Sequence, residues 1–535
     1  MKKLLFILIL FFPVILLSQE PTFTILCLAA HPDDEDGATL AYYRYLQGYE
    51  AYTIFYTRGE GGQNEIGPEL YDELGKLREQ ECYDAAKIQG SKAYFLGQLD
   101  FGFSKTAKET FSFWGGKDSL LARLVYYIRV IRPDVVITNH DTITTKPNRQ
   151  HGHHQAVGIT IYDAFEKAAD YNYHPEQLVY GIQPWQIKKL FFRSFDTTAN
   201  DLYRIDISKK TSNGSTIAEI SRDALFQHKT QGMDKVSKDS PFFFGNRFYR
   251  LVRSDQPYEK TGDDLFSGLI HNMKWNTEGL HSYDTKYSYR KVSAEDSLKI
   301  LKDVQVAPYR RIGLVKTYDN TIEKILKAFN INYDLLDSSR LSTLSLHNKR
   351  SYSTIILDIR AYFYRTDVVK YNKYLLEFAR QGNNLIVFYN KPQDWNGKGD
   401  FAPYPINITS QRVTEEDAVV KILKPKHNYF NIPNKITEKD WEDWVQERNI
   451  YLPSEDSNLT SRVYQRLLSM NDEDDPVPST SLLFSKYGKG VYTYCSLALY
   501  RQLKIFNEGA LKLFMNIISY EDPDMERRIL DILDF

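Results

Sequence analysis

At 535 residues the chain exceeds one typical domain, so two or three are expected. Its 68 Lys and Arg against 69 Asp and Glu leave a net charge of −1, which removes any bulk electrostatic case for nucleic acid or an anionic membrane surface. Cys27, Cys82 and Cys495 are too few and too dispersed for a disulfide framework, and without a Cys-x-x-Cys pair they make no thiolate metal site.

Lys2 and Lys3 precede an almost unbroken apolar run, Leu4 to Leu17, and Ser18 offers a small residue for cleavage. This pattern reads as a signal peptide over 1–18, with export to the periplasm or outside the cell. The run is short for a membrane helix, so no stable span is expected after cleavage. Phe23 to Leu28 is an apolar run of the kind that forms a buried parallel strand. It delivers Ala29-Ala30-His31-Pro32-Asp33-Asp34-Glu35-Asp36 into a turn, and a helix follows from Gly37 through Leu46.

Ala51 to Tyr56 predicts a second strand, ending in a polar Gly-rich loop from Thr57 to Glu65. Pro68 suits the first turn of a helix running to about Ile88. Further strands are expected at Tyr94–Leu96, Val135–Thr138, Leu190–Ser194 and Phe248–Val252, and further helices over 119–131, 155–169 and 216–231. Strands alternating with helices imply an α/β fold with a doubly wound, Rossmann-like parallel sheet, in which ligands bind at the carboxyl ends of strands. That unit covers 22–254. A polar stretch of weak periodicity, 255–306, reads as a linker or packing arm. A second α/β domain occupies 307–535, with strands at Ile312–Val315, Tyr333–Leu336, Thr354–Leu357 and Asn384–Tyr389. Tyr487-Gly488-Lys489-Gly490 lacks P-loop spacing and reads as a hairpin turn.

The chemistry concentrates in two segments. His31 and Asp34 leave the first strand in one turn, and the fourth strand leads to Gln150-His151-Gly152-His153-His154. Two imidazoles and a carboxylate would hold a divalent ion with open positions, the pattern of a catalytic rather than a structural site. Zn2+ suits such a set, and so does Fe2+. Asp33 and Asp34 are neighbours whose side chains diverge, so one can bind the ion while the other accepts a proton from water. The alternative for Asp33 is to cap the following helix. Both His153 and His154 are placed to be the second imidazole.

Ala30-His31-Pro32-Asp33-Asp34-Glu35 resembles the signature of the PIG-L/LmbE family of metal-dependent sugar N-deacetylases. The resemblance spans roughly the first half of the chain beyond the leader. It implies metal ligation by His31, Asp34 and His154, with Asp33 as the base and His151 as the donor to the oxyanion or leaving amine. His151 to His154 falls on the family's His-x-x-His pattern, with Gly-His where Pro-Asp is usual. Arg78 and Glu81 fit the family's Arg-x-x-Glu pair, Asp100 fits a position that can bind sugar hydroxyls, and Glu60 lies in the Gly-rich loop on the active rim as a further substrate-binding candidate. Arg222, His228 and Gln231 resemble the family's late helix.

The second domain is similar in pattern to class I glutamine amidotransferase-like domains. Its catalytic thiol position reads Tyr389-Asn390-Lys391, so an accessory, non-catalytic role is implied. The expected function is hydrolysis of an N-acetyl group on an amino sugar or glycoconjugate. The rival readings are a carbohydrate-binding exported protein without turnover and a metal amidase acting on a non-sugar amide.

Overall fold

The computed structural model describes residues 21–141, 150–270, 292–308, 310–344, 352–455 and 462–521, with short stretches between 272 and 289. The expected leader, 1–18, lies outside the described residues. Among the described residues no helix is long and apolar enough to cross a membrane.

The first domain runs β1 (Thr24–Ala29), α1 (Gly37–Gln47), β2 (Glu50–Thr57), α2 (Asp72–Gln89), β3 (Lys92–Gln98), α3 (Ala107–Phe113), α4 (Lys117–Ile131), β4 (Val135–Thr138), α5 (Gly152–Lys167), β5 (Lys189–Arg193), β6 (Tyr203–Ile205), α6 (Ile217–Leu225) and β7 (Arg247–Ser254). Its sheet has the order β3-β2-β1-β4-β5-β7-β6. The first five strands are parallel and the last two antiparallel. All six residues of β1 are buried. Leu26 and Leu28 enter a core with Leu124, Ile128 and Ile161 of α4 and α5. Ile25 and Cys27 enter the opposite core with Leu40, Tyr43 and Ile217 of α1 and α6. Helices on both faces are why β1 reads as a continuous apolar run rather than an alternating one. The chain reverses direction across the sheet between β1 and β4, and ligands gather beyond the carboxyl ends of strands at such a switch point.

The second domain contains α7 (Ala294–Asp303), β8 (Arg311–Val315), α8 (Thr321–Ala328), β9 (Asn332–Leu335), β10 (Thr354–Leu357), α9 (Thr366–Arg380), β11 (Asn384–Phe388), β12 (Gln465–Arg466), β13 (Leu482–Tyr487), β14 (Gly490–Cys495) and α10 (Glu508–Ile518). The sheet order is β9-β8-β10-β11-β14-β13-β12. The first five strands are again parallel. Gly488, at φ 60°, and Lys489 turn the hairpin between β13 and β14, as their sequence indicates.

Two boundaries differ from the sequence expectation, each for a tertiary reason. Helix α2 starts at Asp72, not near Pro68, because Leu70 is drawn into the second domain's core and the Tyr71 hydroxyl donates to Arg501 O at 2.9 Å. Helix α6 stops at Leu225, and a 3-10 turn at Lys229–Gln231 carries the remainder back towards β1. Within 255–306, the described residues pack on both domains, as the packing-arm reading expects. Leu265 and Phe266 join the first domain's core, while Ile300 and Val304 join the second's.

At the β8/β10 switch point two acids, Asp319 and Asp358, are both buried. Burial and then the Asp319 charge push the Asp358 carboxyl up to about 8. A carboxyl raised on folding stabilises the fold fully below its unfolded value of about 3.9, and that contribution is lost as pH rises towards the folded value. Asp358→Asn removes the titration. The melting temperature of the variant relative to the unmodified chain is therefore expected to rise between pH 5 and pH 8, followed by thermal denaturation across that range. A pH-independent difference would contradict the assignment.

Candidate active site

The turn after β1 is built by His31-Pro32-Asp33-Asp34. Asp34 N donates to His31 O at 3.3 Å, Pro32 holds the second position, and Asp33 takes φ 79° at the third. That φ is the value a type II turn demands at this position, and it is costly for a residue with a Cβ. Capping of α1 falls to Asp36, whose side chain accepts from Thr39 N, so Asp33 is released from that duty. Two side chains from the segment after α6 hold the turn. Gln231 Nε2 donates to Pro32 O at 2.7 Å, and His228 Nε2 lies 3.2 Å from Glu35 Oε1.

Five imidazoles converge on this turn: His31, His140, His151, His153 and His154. His31 sits among them with different neighbours at its two ring nitrogens. Its Nδ1 lies 3.0 Å from Asp34 Oδ2 and 3.3 Å from His154 Nε2, and His154 Nε2 is 3.2 Å from that same carboxylate oxygen. On the other side, His31 Nε2 meets His153 Nδ1 at 2.9 Å, with Asp100 oxygens 4.0 and 3.9 Å from these two nitrogens.

These spacings discriminate between the two sets. Ligands about 2.1 Å from a zinc-like ion stand roughly 3.0–3.5 Å from one another in tetrahedral or octahedral geometry. His31 Nδ1, Asp34 Oδ2 and His154 Nε2 satisfy that spacing, whereas the Asp100 oxygens on the Nε2 side stand wider. One ion cannot use both nitrogens of one ring, so the two sets exclude each other. His140 is nearby, but its Nε2 accepts from Ala30 N at 3.0 Å and its lone pair is thereby spent.

The electrostatics suit a cation. Burial, then neighbouring rings, holds His140, His151 and His153 well below the usual imidazole range, so they are neutral near pH 7. Burial opposes ionisation of Asp34, but His154 and His140 outweigh it and hold the carboxyl well below its ordinary value. Burial and then the Asp34 charge push Asp33 up to about 7. Burial opposes a charge on His31, but the Asp34 hydrogen bond and the Asp100 and Asp34 charges outweigh it and raise the ring above its ordinary value, so the centre of the cluster favours positive charge. Two imidazole nitrogens and a carboxylate held ionised are donors that fit a divalent ion.

The other sequence-singled residues fall into place as follows. His151 immediately precedes α5, its ring 4.0 Å from that of His154 and 5.0 Å from that of His31. Asp33, Asp100, His151 and Arg78 line one cavity of about 340 Å3, and Asp33 with His154 lines a second of about 400 Å3 behind the turn. Arg78 is buried and donates to Gly59 O, to Gln63 O at 2.9 Å and to Thr230 Oγ1 at 3.1 Å. Glu81 accepts from Thr230 N at 2.9 Å and Thr230 Oγ1 at 2.7 Å. Asp100 accepts from Gly102 N at 2.9 Å. Glu60 is buried and accepts from Arg58 N at 3.0 Å within the Gly-rich loop, and it does not appear on the wall of either cavity.

Residues absent from the sequence reading of the site come from the second domain. Lys391, Arg412, Glu447, Tyr451 and Arg501 form the far wall of the 340 Å3 cavity. Nothing in their local sequence marks them, because they reach the site only through domain packing.

Residues 26–165, which span β1 to α5, match the PIG-L family, described as GlcNAc-PI de-N-acetylase. Over 193 residues the chain is 28% identical to the 1D-myo-inositol 2-acetamido-2-deoxy-alpha-D-glucopyranoside deacetylase of Rhodococcus jostii (strain RHA1). That alignment covers 33% of this chain and 62% of the relative, so the chain spans less than two thirds of it. Among solved structures, the N,N'-diacetylchitobiose deacetylase from Pyrococcus horikoshii is similar at 18% identity and a TM-score of 0.33, over 43% of this chain and 83% of that one. Teicoplanin deacetylase Orf2, solved in a zinc-inhibited form, is similar at 15% identity and a TM-score of 0.28, over 44% of this chain and 100% of that one.

Proposed function

We propose that the PIG-L-matching domain makes this chain a divalent-metal-dependent hydrolase that removes an N-acetyl group from an amino sugar or glycoconjugate. The observation that carries the reading is the mutual spacing of His31 Nδ1, Asp34 Oδ2 and His154 Nε2, 3.0 to 3.3 Å, beside an Asp33 that lines both cavities. The relatives' deacetylase activities support the reaction class.

His31, Asp34 and His154 are the residues that would hold the ion, with zinc the first choice and iron(II) the second. When bound, such an ion supplies Lewis acidity, lowering the pKa of water and polarising an acyl carbonyl. Asp33 accepts the proton of the attacking water on its carboxylate, held in place by the turn at φ 79°. Asp33 is half-buried, which partly desolvates its carboxylate while leaving it facing both cavities. His151 donates a hydrogen bond to the oxygen that becomes negative, and the proton accepted by Asp33 is passed on to the departing amine. His153 Nδ1 lies 2.9 Å from His31 Nε2; with the His31 proton on Nε2, His153 would accept it and the Nδ1 lone pair would face Asp34 and His154. Arg78 and Glu60 hold the Gly-rich loop as the floor of the cavity, and Asp100 offers its carboxylate to sugar hydroxyls there. The leader over 1–18 would place this activity outside the cytoplasm.

The test is elemental analysis of the purified chain by inductively coupled plasma mass spectrometry, with acetate release measured on N-acetylglucosamine oligomers. One ion per chain and release abolished by a chelator are expected. A metal-loaded chain that binds these oligomers and releases no acetate would favour a carbohydrate-binding protein instead.

A further inference from the structure

The second domain bounds one side of the cavity beside His31 and Asp33. The whole lining pairs four cations, Arg78, Lys391, Arg412 and Arg501, with four carboxylates, Asp33, Glu65, Asp100 and Glu447, but the cations gather on the second domain's side. Of the five residues there three are cationic, Lys391, Arg412 and Arg501, and one is anionic, Glu447. Glu447 is shared. Arg412 Nη1 donates to it at 2.6 Å, and Arg501 Nη2 lies 3.4 Å away. The Arg412 head is held between the rings of Phe103 and Tyr451, 4.7 Å from each, and Nη2 donates to the Tyr451 hydroxyl at 2.8 Å. Phe103 in turn packs on His151, ring centres 5.2 Å apart, so this wall abuts the catalytic histidines.

Lys391 has the weaker compensation. Its Nζ stands 3.9 Å from Glu65 Oε1, while Arg360 Nη1 donates to that same oxygen at 2.6 Å. Arg360 also takes Asp394, the other nearby carboxylate, at 2.8 Å. Burial and then the Arg360 charge push the Lys391 amine down to about 8. A cation kept in a partly desolvated cleft beside other cations raises the free energy of the empty site, and an arriving anion lowers it.

We propose that Lys391, on the same wall as the Arg412–Glu447–Arg501 cluster, reads an anionic group on the substrate, making an acidic saccharide or glycoconjugate the substrate class of this site. The shared chemistry is an oxyanion, a carboxylate or a sulfate, carried near the N-acetylated residue. This rests on the deacetylase reading above for its catalytic arm, and not for its binding arm.

The test compares three probes of equal length: a neutral N-acetylglucosamine oligomer, one alternating N-acetylglucosamine with glucuronate, and one carrying 6-O-sulfate. Calorimetric binding and kcat/KM are measured for the metal-loaded full chain and for Lys391→Met and Lys391→Arg. At least a tenfold preference for an acidic probe is expected. Lys391→Met should bring the ratio towards one, Lys391→Arg should retain it, and salt should weaken it. The uronate and sulfate arms show which oxyanion fits. Equal binding of neutral and acidic probes, or a preference undiminished in Lys391→Met, would overturn the proposal. Should no probe release acetate, the deacetylase reading fails alone, because the binding ratio and its loss in Lys391→Met still decide the role of the wall.

Discussion

Asp33→Asn is expected to lower kcat by roughly 10²–10⁴-fold, the usual contribution of a positioned general base, while the chain keeps one ion and binds substrate as before. Asn is isosteric with Asp, and it tolerates the positive φ of this turn better than most residues, so the backbone at 79° is retained. The expectation depends on a division of labour between two adjacent carboxylates. Asp34 faces the His31 and His154 nitrogens at 3.0 and 3.2 Å, and Asp33 faces the cavities. Steady-state kinetics together with metal analysis of the same preparation decide it. Loss of the ion in Asp33→Asn would show that Asp33 is a ligand, and near-normal kcat would remove it from the chemistry.

The second large effect separates the two adjacent histidines. His154→Gln should abolish stoichiometric metal binding and with it both turnover and the thermal stabilisation that added Zn2+ gives the unmodified chain. His153→Gln should retain the ion with affinity weakened about 10–100-fold, the loss typical of a residue that orients a ligand. The reason is directional. His153 meets the His31 ring at Nε2, whereas Asp34 and His154 meet it at Nδ1. Competition against a chromogenic chelator measures both affinities. Retention in His154→Gln with loss in His153→Gln would move the centre to the Asp100 side.

Much of the first domain was legible because its parallel strands are buried on both faces. Thr24–Ala29 and Val135–Thr138 are apolar runs with no polar alternation, and helices cover each side. The position of the chemistry followed from the same fact, since a His-Pro-Asp-Asp turn after a buried strand must lie on the ligand-binding rim. Helix α3 was missed because its seven residues carry no clear apolar period, its start resting on the Thr106 side chain accepting from Glu109 N. The early stop of α6 was missed because His228 and Gln231 are helix-compatible residues drawn away by Glu35 and Pro32. The far wall of the cleft was beyond sequence reasoning altogether. Lys391 follows a buried strand and Arg412 starts a two-residue one, and neither setting differs from that of any surface cation.

Leu70 and Tyr71 immediately precede the α2 whose Arg78 carries the Gly-rich loop, yet Leu70 is seated in the other sheet's core and Tyr71 packs against it. Lys105, ahead of α3, reaches across in the same way to Asp472 at 2.7 Å. A truncation ending near residue 254 would strand these side chains in water, at a cost of about 1.5–3 kcal/mol for a residue such as Leu70 alone. The two halves are thus joined by packing as well as by the chain, and isolating the first would be expected to leave the segment ahead of α2 without its support.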